Sequence, residues 1–141
     1  MYEYDNKVEW KKERLCNLRT GEGVSMDFSS PPEFKGVEGV MTPEQLFVAS
    51  ENTCLLMTFI AIAEKMRFEF LSYECDATGH LEKTDKGLLF TKIVLRPRIE
   101  VGSEENAEKA ERALEISDRN CFIARSMKTK VTVEPEIIVT K

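Results

Sequence analysis

The feature that most constrains this chain is an apolar run of about ten residues, Cys54 to Ala63, that follows the sequence Thr42-Pro43-Glu44. Thr42 is a good N-cap, Pro43 suits the first helical position, and Glu44 favours the positive end of the helix dipole. These signals predict a helix over residues 42–66. It is apolar nearly all round from residue 55 onward, a pattern typical of a helix buried inside a protein.

Segments in which apolar and polar residues alternate flank this helix. The pattern predicts N-terminal strands and a loop over residues 1–41, a β-hairpin over 68–102, a second helical region over 103–127 and a C-terminal strand over 129–141. We therefore expect a single domain over residues 1–141. The order of elements indicates an α+β fold, in which antiparallel sheet wraps long buried helices, rather than a repeating βαβ fold.

Charge and composition exclude several classes of protein. The net charge is −5 and basic residues alternate with acidic ones, which argues against binding to nucleic acid. The N-terminus lacks the layout of a signal peptide. The apolar run of about ten residues falls short of the roughly 20 that a membrane span requires. We expect a cytoplasmic protein without a membrane partner, in a compartment that keeps thiols reduced.

The cysteines carry the chemical interest. There are four, none in a Cys-x-x-Cys pair, and a single histidine, His80, so the sequence predicts no metal site. Cys54 lies within the apolar helix, where a cysteine also serves as a small core residue. Cys121 follows the second helix, and a further helix opening there would stabilise a thiolate. Two such cysteines suit a peroxidase in which one forms a sulfenic acid and the other condenses with it.

The motif around Cys54 resembles the signature of the OsmC/Ohr family, the osmotically inducible and organic-hydroperoxide-resistance proteins. In that family Pro-Glu-Gln/Glu-Leu-Phe precedes the reactive cysteine by the spacing seen here from Pro43 to Cys54. Further segments similar to the family are Phe90-Thr91-Lys92-Ile93, Arg119-Asn120-Cys121 and Ser126-Met127-Lys128. The resemblance thus covers nearly the whole chain.

This resemblance implies an intertwined homodimer with active sites at the subunit interface. It implies reduction of organic hydroperoxides, with hydrogen peroxide as a further candidate, by Cys54, with Cys121 as the resolving cysteine. The implied reductant is a dithiol, with lipoyl-linked dithiols among the candidates, and no cofactor, metal or nucleotide is required. The family also places a glutamate and an arginine near the reactive thiol, where the arginine lowers its pKa.

Glu44 matches the family glutamate, and Arg14 falls within about one residue of the arginine position in the Ohr branch, with Arg19 as the alternative. Ten residues of continuous helix separate Glu44 from Cys54 by about 15 Å. Unless the helix bends or breaks, a partner subunit would have to supply one of the two. Glu51 lies one turn before Cys54, where its charge would disfavour a thiolate unless it faces another partner.

The chain also departs from the family pattern. Phe122 follows Cys121 in place of the usual proline, and Asp118 precedes it in place of a histidine. Two other functions remain open from the sequence. One is a dimer of the same fold that binds a hydrophobic ligand in an interface pocket, and the other is an inert structural dimer with buried thiols.

Overall fold

The computed structural model describes residues 1–140 and shows an α+β protein, which confirms the predicted fold class. The chain forms two compact units. The first spans Met1–Phe47 and the second comprises the described chain from Val48 onward. One long helix begins in the first unit and continues into the second.

The first unit is built on an antiparallel sheet of three strands. These are β1 (Asn6–Lys12), β2 (Leu15–Thr20) and β3 (Ser25–Phe28), in that spatial order. A loop with a short 3-10 turn at Pro32–Phe34 follows. It returns to β3 at Met41, which forms an isolated parallel bridge with Phe28 and so sets the start of the next helix.

Helix α1 (Pro43–Met66) begins at a complete capping box. The Gln45 backbone N–H donates to Thr42 Oγ1 at 3.0 Å, and the Thr42 backbone N–H donates to Gln45 Oε1 at 3.1 Å. Both bonds satisfy N–H groups that a helix start would otherwise leave unpaired. The predicted N-cap at Thr42 is confirmed.

Every fourth residue of α1 is buried: Glu51, Leu55, Phe59 and Ala63. The Phe59 ring lies 6.2 Å from that of Phe68, 5.1 Å from Phe70 and 5.5 Å from Tyr73, between ring centroids. Other apolar side chains of the helix stay uncovered, and Met57 is 57% exposed. A single chain therefore buries one face of α1 and leaves the rest of its apolar surface accessible.

By length and composition alone, α1 is also apolar enough to cross a membrane, since an 18-residue stretch of it has a mean hydropathy of 1.7. The core helices of soluble proteins pass the same test. The apolar run is shorter than this helix because the polar residues 50–53, which include Glu51, precede Cys54.

The sheet of the second unit is centred on β5 (Gly87–Val101), which pairs antiparallel with β4 (Ser72–Thr84). Two short strands, β6 (Lys130–Val133) and β7 (Glu136–Val139), pair with successive parts of β5 and run parallel to it. Two strands therefore replace the single C-terminal strand expected over residues 129–141, and their parallel pairing with β5 departs from the antiparallel pairing expected. The chain returns from β5 through helices, and a helical crossover brings the next strand back in the same direction.

That crossover consists of α2 (Glu104–Asn120) and α3 (Phe122–Ser126). Ser103 caps α2 by accepting a hydrogen bond from the Asn106 N–H at 3.1 Å. Cys121 is the one residue between the helices, with extended backbone angles of φ −65° and ψ 119°. The predicted helix end near Asn120 and the short helix after it are both present.

Candidate active site

Cys54 lies in the middle of α1 and is half-buried. Its sulfur is 3.9 Å from Thr58 Oγ1, one turn further along, and the same hydroxyl donates to the Cys54 carbonyl at 2.8 Å. The backbone is helical on both sides of the residue, so the position of this thiol is set by a rigid element. Partial exposure leaves the sulfur open to a small molecule.

Cys121 is fully buried, and its side chain meets that of Cys54. The two thiols interact, and the Cys121 thiol donates a hydrogen bond to Glu51 Oε1 at 2.9 Å. Glu51 and Cys54 are three residues apart, so they share one face of α1. The result is a cluster of two sulfurs and a carboxylate, which we call the Cys54–Cys121–Glu51 cluster.

The Cys121 thiol is held in its protonated form. Burial raises its pKa most, and the neighbouring Cys54 thiol and Glu51 carboxylate raise it further. The backbone N–H of Ala124 acts in the opposite direction but is outweighed. The expectation that a helix opening at Cys121 would stabilise its thiolate is therefore wrong, because burial and a neighbouring carboxylate dominate over the start of a five-residue helix.

Glu51 is a buried carboxyl group with only 1% of its surface exposed. Burial raises its pKa, as does the negative charge of Asp118, whereas the hydrogen bond from Cys121 lowers it. Its second oxygen, Oε2, has no hydrogen-bond partner among residues 1–140. The sequence located Glu51 on the face of Cys54 but gave no sign that it contacts Cys121, which is 70 residues away.

The other candidate residues lie in the first unit. Glu44 occupies the first turn of α1, which runs unbroken to Met66, and its Oε1 is buried without a hydrogen-bond partner in the described chain. Arg14 is exposed in the turn between β1 and β2. Arg19, on β2, forms an exposed ion pair of 2.6 Å with Glu9. The roles assigned to these residues from the resemblance stay predictions.

The remaining cysteines lie elsewhere in the fold. Cys75 is on β4, where its carbonyl accepts a hydrogen bond from the Asn52 side chain at 3.1 Å, and burial raises the pKa of its thiol. Cys16 is on β2 and half-buried. Across residues 1–140, no group of three or more His, Cys, Asp or Glu side chains could hold a metal ion.

The geometry of the cluster allows thiol redox chemistry. One sulfur is partly open to solvent on a rigid helix, and a second, protonated sulfur lies against it. An oxidised sulfur at Cys54 would have a thiol already in contact with it, which is what condensation to a disulfide requires.

Comparison with known proteins agrees with the fold. Residues 36–136 match the family model described as OsmC-like protein. An OsmC-like protein of unknown function from Vibrio cholerae has a solved structure with a TM-score of 0.86, at 31% sequence identity over 96% of this chain and 99% of that one.

More distant similarities are found with one solved structure and with one protein sequence. An organic hydroperoxide resistance protein OsmC from Legionella pneumophila has a TM-score of 0.75, at 23% identity over 99% of this chain and 98% of its own. The uncharacterized protein YmaD of Bacillus subtilis is 22% identical, over 94% of this chain and 91% of its own. The family model covers well over half of the chain, so the protein belongs to the OsmC-like family.

Proposed function

We propose that the protein is a cysteine-based peroxidase that reduces organic hydroperoxides, with hydrogen peroxide as a second substrate. The contact between the thiols of Cys54 and Cys121 carries the proposal. Membership of the OsmC-like family supports it, as do structural neighbours named as organic hydroperoxide resistance proteins.

In the proposed cycle the Cys54 thiolate attacks the terminal oxygen of the hydroperoxide. The O–O bond breaks, Cys54 becomes a sulfenic acid, and the alkoxide leaves as an alcohol after taking up a proton. Cys54 is suited to this step because it is the more exposed of the two sulfurs, and Cys121 is protonated and buried. The apolar side chains next to Cys54 along α1 suit the organic part of such a substrate.

Cys121 then condenses with the sulfenic acid, and water leaves as the disulfide forms. A dithiol, such as a lipoyl-linked one, would reduce this disulfide by thiol–disulfide exchange and return both cysteines to the thiol state. We place the cycle in the cytoplasm, where reduced dithiols are maintained.

The decisive test is to treat the reduced protein with one equivalent of cumene hydroperoxide and to map disulfides by mass spectrometry. We expect a single new link, Cys54–Cys121, with Cys16 and Cys75 remaining free, because the Cys54 and Cys121 thiols interact, whereas Cys16 is on β2 and Cys75 is on β4. A protein that stays fully reduced while hydroperoxide persists would contradict a peroxidase and favour the ligand-binding alternative.

We also propose a homodimer. The apolar side chains of α1 that a single chain leaves uncovered, such as Met57, are costly to expose to water and would be covered by a second copy. In that arrangement the partner subunit would supply the glutamate or arginine that the resemblance implies beside Cys54. Solution scattering should give a mass near twice the 16.2 kDa of one chain. A monomer at working concentration would contradict this.

A further inference from the structure

We propose that Glu51 is the base that takes the proton from Cys121 when the disulfide forms. This inference rests on the proposed peroxidase cycle and adds a residue to it. The resemblance to the OsmC/Ohr family assigns its glutamate role to Glu44, at the start of α1, whereas Glu51 lies two turns further along and contacts the other cysteine.

The need for a base follows from the environment of Cys121. A thiol attacks a sulfenic acid as the thiolate, but this thiol is fully buried and its pKa is raised. The Cys121 side chain has no exposed surface from which bulk water could take its proton. The Glu51 carboxylate is within hydrogen-bond distance, at 2.9 Å, and already accepts from this thiol.

Apart from Cys121, the Glu51 carboxylate has no hydrogen-bond donor in the described part of the chain, which is unusual for a buried carboxylate. Its Oε1 accepts from Cys121, and its Oε2 has no hydrogen-bond partner within the described part of the chain. A structural carboxylate would normally be satisfied by basic or backbone donors. The free oxygen instead leaves this group able to hold a proton next to the Cys121 sulfur.

The proton of Cys121 moves to Glu51, and the resulting thiolate attacks the Cys54 sulfur, so that the S–S bond forms as the S–O bond of the sulfenic acid breaks. Cys121 is oxidised and Cys54 is reduced to the disulfide level. The hydroxide that leaves takes the proton from Glu51, which returns to the carboxylate as water departs.

The ionisable groups around Glu51 set the pH at which this step fails. Cys54 is on the same face of α1, Cys121 faces it from the junction of α2 and α3, and Asp118 acts on it from the last turn of α2, with Arg119 beside Asp118. Burial and the Asp118 charge raise the pKa of Glu51, so the base is lost, as pH falls, at a higher pH than for an exposed glutamate.

The test isolates the attack of Cys121 from peroxide chemistry. In a Cys16→Ser/Cys75→Ser background, one equivalent of methyl methanethiosulfonate converts Cys54 to a methyl disulfide, and Cys121 then displaces methanethiol. Acid quenching and mass spectrometry give the rate at which Cys54 is labelled and the rate at which Cys121 displaces methanethiol. In Glu51→Gln, whose amide oxygen can still accept from Cys121, we expect displacement from the methyl disulfide to be slowed about 100-fold or more relative to the Cys16→Ser/Cys75→Ser background. Because this rate is measured after labelling is complete, a change in the reactivity of Cys54 does not enter it.

A Glu51→Gln variant that displaces methanethiol at the background rate would overturn the proposal. Should that variant fail to fold, Asp118→Asn provides the second test. It removes a like charge, so the acid side of the displacement profile should move to lower pH, and an unmoved profile would refute the inference. Failure of the peroxidase cycle is seen separately, as a lack of Cys54 oxidation by cumene hydroperoxide in a chain that still displaces methanethiol.

Discussion

Cys54→Ser should abolish hydroperoxide reduction, with kcat/KM for cumene hydroperoxide falling by at least about a thousandfold. A serine hydroxyl is not ionised at neutral pH and cannot pass through the sulfenic acid and disulfide states on which the cycle depends. The fold should be unaffected, because Cys54 is half-buried and serine differs from it by one atom. Peroxide consumption with a dithiol reductant measures the effect.

Two further cysteine variants make this result specific. Cys75→Ser changes another half-buried thiol, on β4, and should leave the activity within about twofold of the unsubstituted protein. Cys121→Ser should retain the first chemical step, so that a sulfenic acid accumulates at Cys54 and reacts with dimedone. Activity that survives Cys54→Ser, or that falls equally in Cys75→Ser, would remove Cys54 from its proposed role.

Phe59→Ala should lower the free energy of unfolding by about 3–5 kcal/mol, an effect large enough to unfold many domains of this size. The Phe59 side chain is completely buried, and it is in contact with three other aromatic rings that join α1 to the segment leading into β4. Alanine would leave a cavity among those rings. Urea unfolding followed by circular dichroism gives the change in free energy.

Phe122→Ala is the matched control, since it removes the same side chain from a position that is 77% exposed. We expect a change within about 0.5 kcal/mol. If the two variants lose similar amounts of unfolding free energy, the aromatic cluster around Phe59 contributes little to stability. Burial of the side chain would then not determine the size of the loss.

Much of the fold is visible in the sequence because its signals are local. The capping residues Thr42 and Ser103 and the alternation along β4 and β5 each concern neighbours in the chain. The direction in which β6 and β7 pair with β5 is not a local property. A short apolar strand carries the same period of two whether its partner runs parallel or antiparallel, so the sequence could not distinguish them.

The candidate site divides in the same way. Cys54 and Cys121 stand out because of their positions in motifs, and the resemblance to a known family pairs them. The contact of Glu51 with Cys121 depends on how α1 packs against the junction of α2 and α3, and no pattern along the chain encodes it. The raised pKa of Cys121 follows from that packing. The sequence, which shows only that a helix begins there, instead predicted a stabilised thiolate.

The single non-helical residue between α2 and α3 affects how the two redox states interconvert. Cys54 is fixed by helical hydrogen bonds before and after it, whereas Cys121 has extended backbone angles and is tied to the short helix α3 by the bond that its carbonyl accepts from the Arg125 N–H at 3.1 Å. In the proposed cycle, the backbone movement needed to form and reopen the S–S bond would therefore be made by Cys121 and the five-residue helix α3. The long helix would keep the same shape in both oxidation states, and the peroxide-attacking sulfur would be ready for the next substrate without refolding.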